Sequence, residues 1–243
     1  MTHLPPRQLS MEPLEQAPDG RAPERSTLTG STVRLEPLSA DAHAADLYAA
    51  THADINAARV WDYLPYGPWA DATAMHSWVA ERSASRDPLF FAVYDRVSGR
   101  AAGVVTFMEI QPAHGCIEIG HIWFAPVLQN TRQSTEALFL LMQHTFDELG
   151  YRRLEWKCDA QNYASRSAAL RLGFAYEGLF FQHRVVKGRN RDTAWFSLLD
   201  HEWPFVRSNF QHWLSDDNFD PQGRAQGSLG ALNRALRPDL TQA

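Results

Sequence analysis

Ile117–Ala137 reads IEIGHIWFAPVLQNTRQSTEA, a strand that runs straight into a polar loop and from there into an amphipathic helix. Such a junction suits an anion, because the first backbone N–H groups of a helix have no partner within it and point outward with the positive end of the macrodipole. A phosphate held there gains charge-assisted hydrogen bonds of about 1.5–3 kcal/mol each. The same residues also allow a plainer role, in which Asn130, Thr131 or Ser134 simply caps the helix. This stretch alone leaves both open.

Outward from that junction, the helix pattern of Ser134–Leu149 keeps Leu138, Leu141, Met142, Thr145, Phe146 and Leu149 on one side and stops at Gly150. Upstream, a strand at Thr32–Pro37 precedes two helices, Ala40–Thr51 behind a Ser39 cap and Asp71–Arg86 with Asp71 at its start. Leu89–Asp95 and Ala101–Gln111 are apolar strands joined by Val97-Ser98-Gly99-Arg100, and Cys116–Ala125 follows as the third strand of an antiparallel meander, the fourth along the chain. Downstream come a strand at Arg153–Cys158 and a short helix at Ala164–Leu172, capped by Asn162 and ended by Gly173. Strands at Tyr176–Val186 and Thr193–Leu199 flank Lys187-Gly188-Arg189-Asn190, and a helix at Trp203–Trp213 closes the series. Repeated switching of the hydrophobic period predicts a mixed α/β (α+β) fold.

One domain is expected over 27–214. Residues 1–26 are proline-rich with little apolar periodicity and read as a mobile tail. Residues 215–243 read as mostly irregular, although Leu229, Leu232 and Leu236 recur at helical spacing and allow one short docked helix.

At 243 residues, 44% hydrophobic and 21% charged, the chain can build a real core, which excludes collagen, wholesale disorder and a disulfide-stapled miniprotein. Its longest apolar runs, Pro88–Tyr94 and Ala137–Met142, fall short of the roughly 20 residues needed to cross a bilayer, and 1–26 lacks the apolar stretch of a secretory signal. No membrane span is predicted. Cys116 and Cys158, the only cysteines, suit core thiols in a reducing cytoplasm. A net charge of -5 gives no support to nucleic acid or anionic lipid as the main partner. No HExxH, CxxC or Walker-type spacing occurs, so neither a metal site nor a nucleotide loop of that kind is expected.

A second segment, Cys158–Phe174, reads CDAQNYASRSAALRLGF. With IEIGHIWFAP, the following STEA, and the Asn162, Ser165, Gly173, Phe174 set, it resembles the GNAT superfamily of acetyl-CoA-dependent N-acetyltransferases, especially the RimJ/RimL-like branch of ribosomal-protein N-terminal acetyltransferases. The resemblance spans roughly 29–203. It implies a mostly antiparallel sheet of about seven strands, splayed at the centre and flanked by helices, with acetyl-CoA as cosubstrate. The family's phosphate loop usually reads Q/R-x-x-G-x-G/A, whereas this chain has Gln129-Asn130-Thr131-Arg132-Gln133-Ser134, with Arg132 and Ser134 where glycines are common. Close backbone approach to a diphosphate is then in question, and the Arg132 fork and the Ser134 hydroxyl are the side chains available to replace it. Phe124 joins these loop residues, Asn162 and Ser165 as expected cofactor contacts.

The resemblance also implies direct attack of an amine on the thioester carbonyl. That step needs a base for the amine, an N–H donor for the oxyanion and a proton for the departing thiolate. Glu118 on the fourth strand is the leading base, with an ordinary structural acid as its alternative. His121 is a second candidate but faces the other side of the strand unless a bulge intervenes. The oxyanion donor is placed at a backbone N–H near Trp123 or Phe124. Many relatives carry a tyrosine as the acid where this chain has Ala169, which leaves Ser165 to meet the cofactor sulfur and Asn162 to bond the pantetheine amides. Both also fit plain helix capping.

Trp61–Trp69 reads WDYLPYGPW and lies in the region that walls the acceptor site in this family. Asp62, Tyr63 and Tyr66 are therefore the candidate substrate contacts, against the plainer reading of a loop plugged onto the core. The expected acceptor is a protein or peptide N-terminal amine. A small amine such as a polyamine, amino acid or aminoglycoside-like drug stands as the alternative, and a non-catalytic acyl-CoA-binding domain as the rival of another class. The chain is expected to act as a monomer or homodimer.

Overall fold

The computed structural model describes residues 3–14, 16 and 18–237. Its strands are β1 (Leu28–Thr29), β2 (Val33–Pro37), β3 (Leu89–Asp95), β4 (Arg100–Gln111), β5 (Cys116–Phe124), β6 (Arg153–Asp159), β7 (Ala175–Val186) and β8 (Arg189–Leu199). They form one sheet in the order β1-β2-β3-β4-β5-β6-β8-β7, antiparallel throughout except for the β5–β6 pair. The eighth strand relative to expectation is β1, a two-residue edge.

Helices α1 (Ala40–Thr51) and α2 (Ala72–Ser83) begin at caps, where the side chains of Ser39 and Asp71 accept from the backbone N–H of Ala42 and Ala74. They cover one sheet face over Leu47, Met75, Val79, Phe90, Val104 and Trp123. Helices α3 (Arg132–Gln143), α4 (Tyr163–Arg171), α5 (Trp203–Leu214) and α6 (Leu229–Ala235) cover the other face, where Leu35, Phe91, Val105, Ile119, Leu154 and Phe196 meet Leu141 and Met142. After Gln143 the chain widens into one π-helical turn, His144–Glu148, before Gly150 stops it at φ 72°.

The β7–β8 hairpin is longer than the sequence suggests. Lys187 and Gly188 alone make its turn, both with positive φ (48° and 74°), so β8 begins at Arg189 rather than Thr193. The polar run Arg189–Asp192 conceals that extension.

The described segments nearest the two ends, around Leu4–Arg7 and Leu236–Arg237, hold to the body and to each other. Residues 3–14 contain no helix or strand, yet Leu4 is buried and its N–H donates to the Leu236 carbonyl at 2.8 Å. Arg7 reaches the buried Glu202 carboxylate at 2.7 Å, and Arg237 stands against the same group. Within 215–243, Ser228 caps α6, which docks through Leu229, as the leucine spacing allowed. Among the described residues, no helix is long and apolar enough to cross a membrane.

Candidate active site

β5 and β6 pair over only three positions, Cys116 with Arg153, Ile117 with Leu154 and Glu118 with Glu155. Beyond Glu118 each strand keeps its other neighbour, β5 staying with β4 as far as Phe124 and β6 with β8 as far as Asp159. A cleft therefore opens in the middle of the sheet with Glu118 at its apex. A β-bulge lies just above that apex: between the Val104–Trp123 and Thr106–Gly120 pairs, β5 carries one residue more than β4. His121 takes the strained position, at φ 47°. Such a bulge bends its strand and re-aims side chains. Within β4, Gly103 pairs with Phe124 and lets the backbone close on it, since a Cβ there would meet the Phe124 ring and the Trp123 carbonyl at 2.9 Å.

The bulge decides which side chains share the cleft. Ile117 and Ile119 face α3, so Glu118 faces the α1–α2 side. His121, which simple alternation would turn toward α3, instead joins that side. Its ring stacks on Tyr66 at 5.5 Å, and its Nδ1 lies 3.1 Å from the Tyr66 hydroxyl. Burial, with help from Arg82 and Arg191, pushes its pKa down to about 4, leaving a neutral imidazole at pH 7. Burial likewise pushes the Tyr66 phenol well above its usual range. His121 and Tyr66 line a pocket of about 290 Å³ with Trp78, Phe90, Pro65, Pro88 and Arg82.

Glu118 is 4% exposed. Its carboxylate lies 2.9 Å from Lys157 Nζ, which also reaches Glu155 at 3.0 Å and rests over the Trp195 ring at 4.1 Å. Burial outweighs the ammonium and lifts the Glu118 pKa to about 7, where a carboxylate can accept a proton near neutral pH and still give it up. Burial opposes the charge on Lys157, but Glu118 and Glu155 prevail and its pKa is raised.

The start of α3 is arranged differently. Thr131 is the cap, its Oγ1 accepting from the Ser134 N–H at 3.2 Å. The Ser134 hydroxyl donates to the Thr131 carbonyl at 3.1 Å, and Ser134 is buried. Arg132 donates to the Leu214 carbonyl and to Asp216 Oδ1 at 2.7 Å, and its guanidinium lies over the Phe219 ring. The two side chains expected to replace the missing glycines thus turn back into the protein. Asn130 supplies the left-handed turn at φ 58° that asparagine tolerates. Gln129 donates through Nε2 to the Phe124 carbonyl at 2.9 Å. The first N–H groups of the helix, on Arg132 and Gln133, find no acceptor among the described residues. With the open strand pair beside them, these backbone donors fit a diphosphate-bearing cosubstrate.

Across the cleft, Asn162 caps α4, its Oδ1 accepting from the Ser165 N–H at 3.0 Å. The Ser165 hydroxyl accepts from the Trp156 indole N–H at 3.0 Å, and the Cys158 sulfur stands beside it as an acceptor for its own proton. Ala169 is fully buried.

Of the candidate substrate residues, Tyr66 lines the pocket, while Tyr63 donates to the Gln161 carbonyl at 3.2 Å. Asp62 is largely exposed and lies 3.8 Å from Arg59. Lys187, at the hairpin tip, donates to the Trp61 carbonyl at 2.8 Å. The Tyr63 and Lys187 contacts bridge the cleft from the Trp61–Trp69 loop to the β6–β8 side. Sequence reasoning missed Lys157 and Arg82. Lys157 had a usable signal, a lone ammonium inside the strand pattern Arg153–Cys158 that must neighbour Glu118 once the two strands pair.

Residues 32–175 match the family model described as the acetyltransferase (GNAT) domain. A GCN5-related N-acetyltransferase from Brucella melitensis is similar in structure, with a TM-score of 0.87 and 46% identity, covering 90% of this chain and 98% of that one. A probable acetyltransferase of the GNAT family from Chromobacterium violaceum gives a TM-score of 0.74 at 42% identity, covering 83% and 100% of the two chains. Among curated relatives, YdaF of Bacillus subtilis, named provisionally as a ribosomal N-acetyltransferase, is 29% identical over 105 residues. That match spans 43% of this chain and 57% of YdaF.

Proposed function

The chain belongs to the GNAT acetyltransferase family, and on that footing we propose that it transfers an acetyl group from acetyl-CoA to a primary amine, the N-terminus of a protein or peptide. What carries the reading is the apex of the cleft: a carboxylate with a pKa of about 7, placed where β5 and β6 part and on the side away from α3. The unfilled N–H groups at the start of α3 and the loop from Gln129 to Gln133 hold the diphosphate. Asn162 and the edge of β5 near Phe124 orient the pantetheine arm. Acetyl-CoA supplies the thioester.

The protein then has three tasks. Glu118 takes a proton from the incoming ammonium, directly or through water, so that the nitrogen lone pair can attack. A backbone N–H near Trp123 or Phe124 steadies the carbonyl oxygen as negative charge builds on it. Ser165 protonates the sulfur as it leaves. Overall the C–N bond forms, the C–S bond breaks and the ammonium loses two protons, one ending on the thiol and one in solvent. Holding amine and thioester together supplies much of the acceleration. The provisional name of YdaF favours a protein acceptor. Purified protein mixed with acetyl-CoA and a panel of N-terminal peptides should yield products heavier by one acetyl group on the α-amine; absence of transfer to every amine offered would refute the proposal.

A further inference from the structure

The one charge that lines the aromatic pocket beside the cleft is positive. Glu118 is matched by Lys157, and Glu155 by Lys157 and Arg153. Asp159 and Asp192 keep their charge while accepting from the Gln161 N–H and from the Gln182 N–H and Asn190, and Asp159 faces Arg191. One guanidinium group lacks a comparable partner. Arg82 is the only charged side chain on the aromatic pocket, and its contact is the neighbouring, exposed Glu81 at 3.0 Å, a pair that solvent screens. Arg191 has a buried Nε with no hydrogen-bond partner among the described residues. It shares a β8 face with Thr193 and Trp195, the ring on which Lys157 rests. His121 feels both guanidinium groups. An aromatic pocket built for a polyamine would carry carboxylates instead.

We propose that the acceptor amine belongs to a molecule that also carries a carboxylate, received by Arg82 at the aromatic pocket while the amine stands at Glu118. This rests on the acetyltransferase reading and narrows its substrate class. The carboxylate has two possible sources, an acidic side chain near a peptide N-terminus or the α-carboxylate of a free amino acid.

The test is kcat/KM with saturating acetyl-CoA. Its substrates are peptides beginning with Asp or Glu, with Ala or Ser and with Lys, together with free amino acids, their amides and a polyamine. Charge-assisted recognition by an arginine predicts that carboxylate-bearing acceptors lead by about tenfold or more. Preference for acidic peptides, or for amino acids over their amides, identifies the source. Arg82→Ala should flatten the ranking and Arg82→Glu should reverse it toward lysine-bearing peptides, each with unchanged melting temperature because Arg82 is partly exposed. Equal use of neutral and acidic acceptors, or an Arg82→Glu ranking like that of the wild type, overturns the inference and leaves the acetyltransferase reading standing. Transfer to none of the amines overturns both.

Discussion

Where α3 begins, the polar side chains serve their own backbone: Thr131 and Ser134 bond within the loop, and Arg132 reaches to Leu214 and Asp216. Across the same cleft, the α1–α2 side does the opposite, presenting Glu118, Lys157, His121 and Tyr66 as side chains whose environments move their proton affinities. An anion held by backbone N–H groups makes few demands on residue identity, which is how a loop with arginine and serine in place of glycines can keep the same architecture. Proton transfer depends on one group at one pKa, so a single substitution can remove it.

The sharpest way to break this contrast is Glu118→Gln. Loss of the base should lower kcat by about a hundredfold or more while the KM for acetyl-CoA stays within about twofold. Steady-state kinetics with both substrates varied would show it, and a kcat within about threefold of wild type would take the role from Glu118. The pH profile separates the two candidate bases. Burial raises the Glu118 pKa, and the base works deprotonated, so kcat/KM should climb about tenfold per unit below pH 7 and level off above it. His121, with a pKa near 4, would place that rise three units lower. Ser165→Ala should cost about tenfold in kcat, since water can replace part of a general acid. Arg132→Ala should do least to catalysis, changing the KM for acetyl-CoA by less than about threefold. Its effect should fall on stability, through the lost contacts to Leu214, Asp216 and Phe219, as a drop in Tm of about 2–6 °C by calorimetry. A large KM effect would mean that Arg132 leaves Asp216 when ligand binds.

The parts of the fold readable from sequence were those set by neighbours in the chain. Ser39 and Asp71 mark their helix starts because a cap bonds only two or three residues ahead, and Leu89–Asp95 stands out as a short apolar run between breakers. The central splay came from family resemblance, since only pairing between distant strands creates it. The bulge at His121 was not legible either: its positive φ comes from how β4 and β5 register, and nothing local in GHIW demands it. Arg132 shows the limit most plainly. At the head of a helix it looks like a phosphate ligand, and the groups that claim it, Leu214 and Asp216, lie more than eighty residues away.

The Glu202 carboxylate has a consequence for handling the protein. Burial alone would raise its pKa, but Arg7 from one end of the chain and Arg237 from the other hold it down to about 2. Trimming either end leaves a buried anion short of a counter-charge and frees the opposite end, which shares the Leu4–Leu236 hydrogen bond. Loss of Arg7 or of Arg237 should therefore loosen the other segment as well, which a lowered Tm for either alanine variant would show.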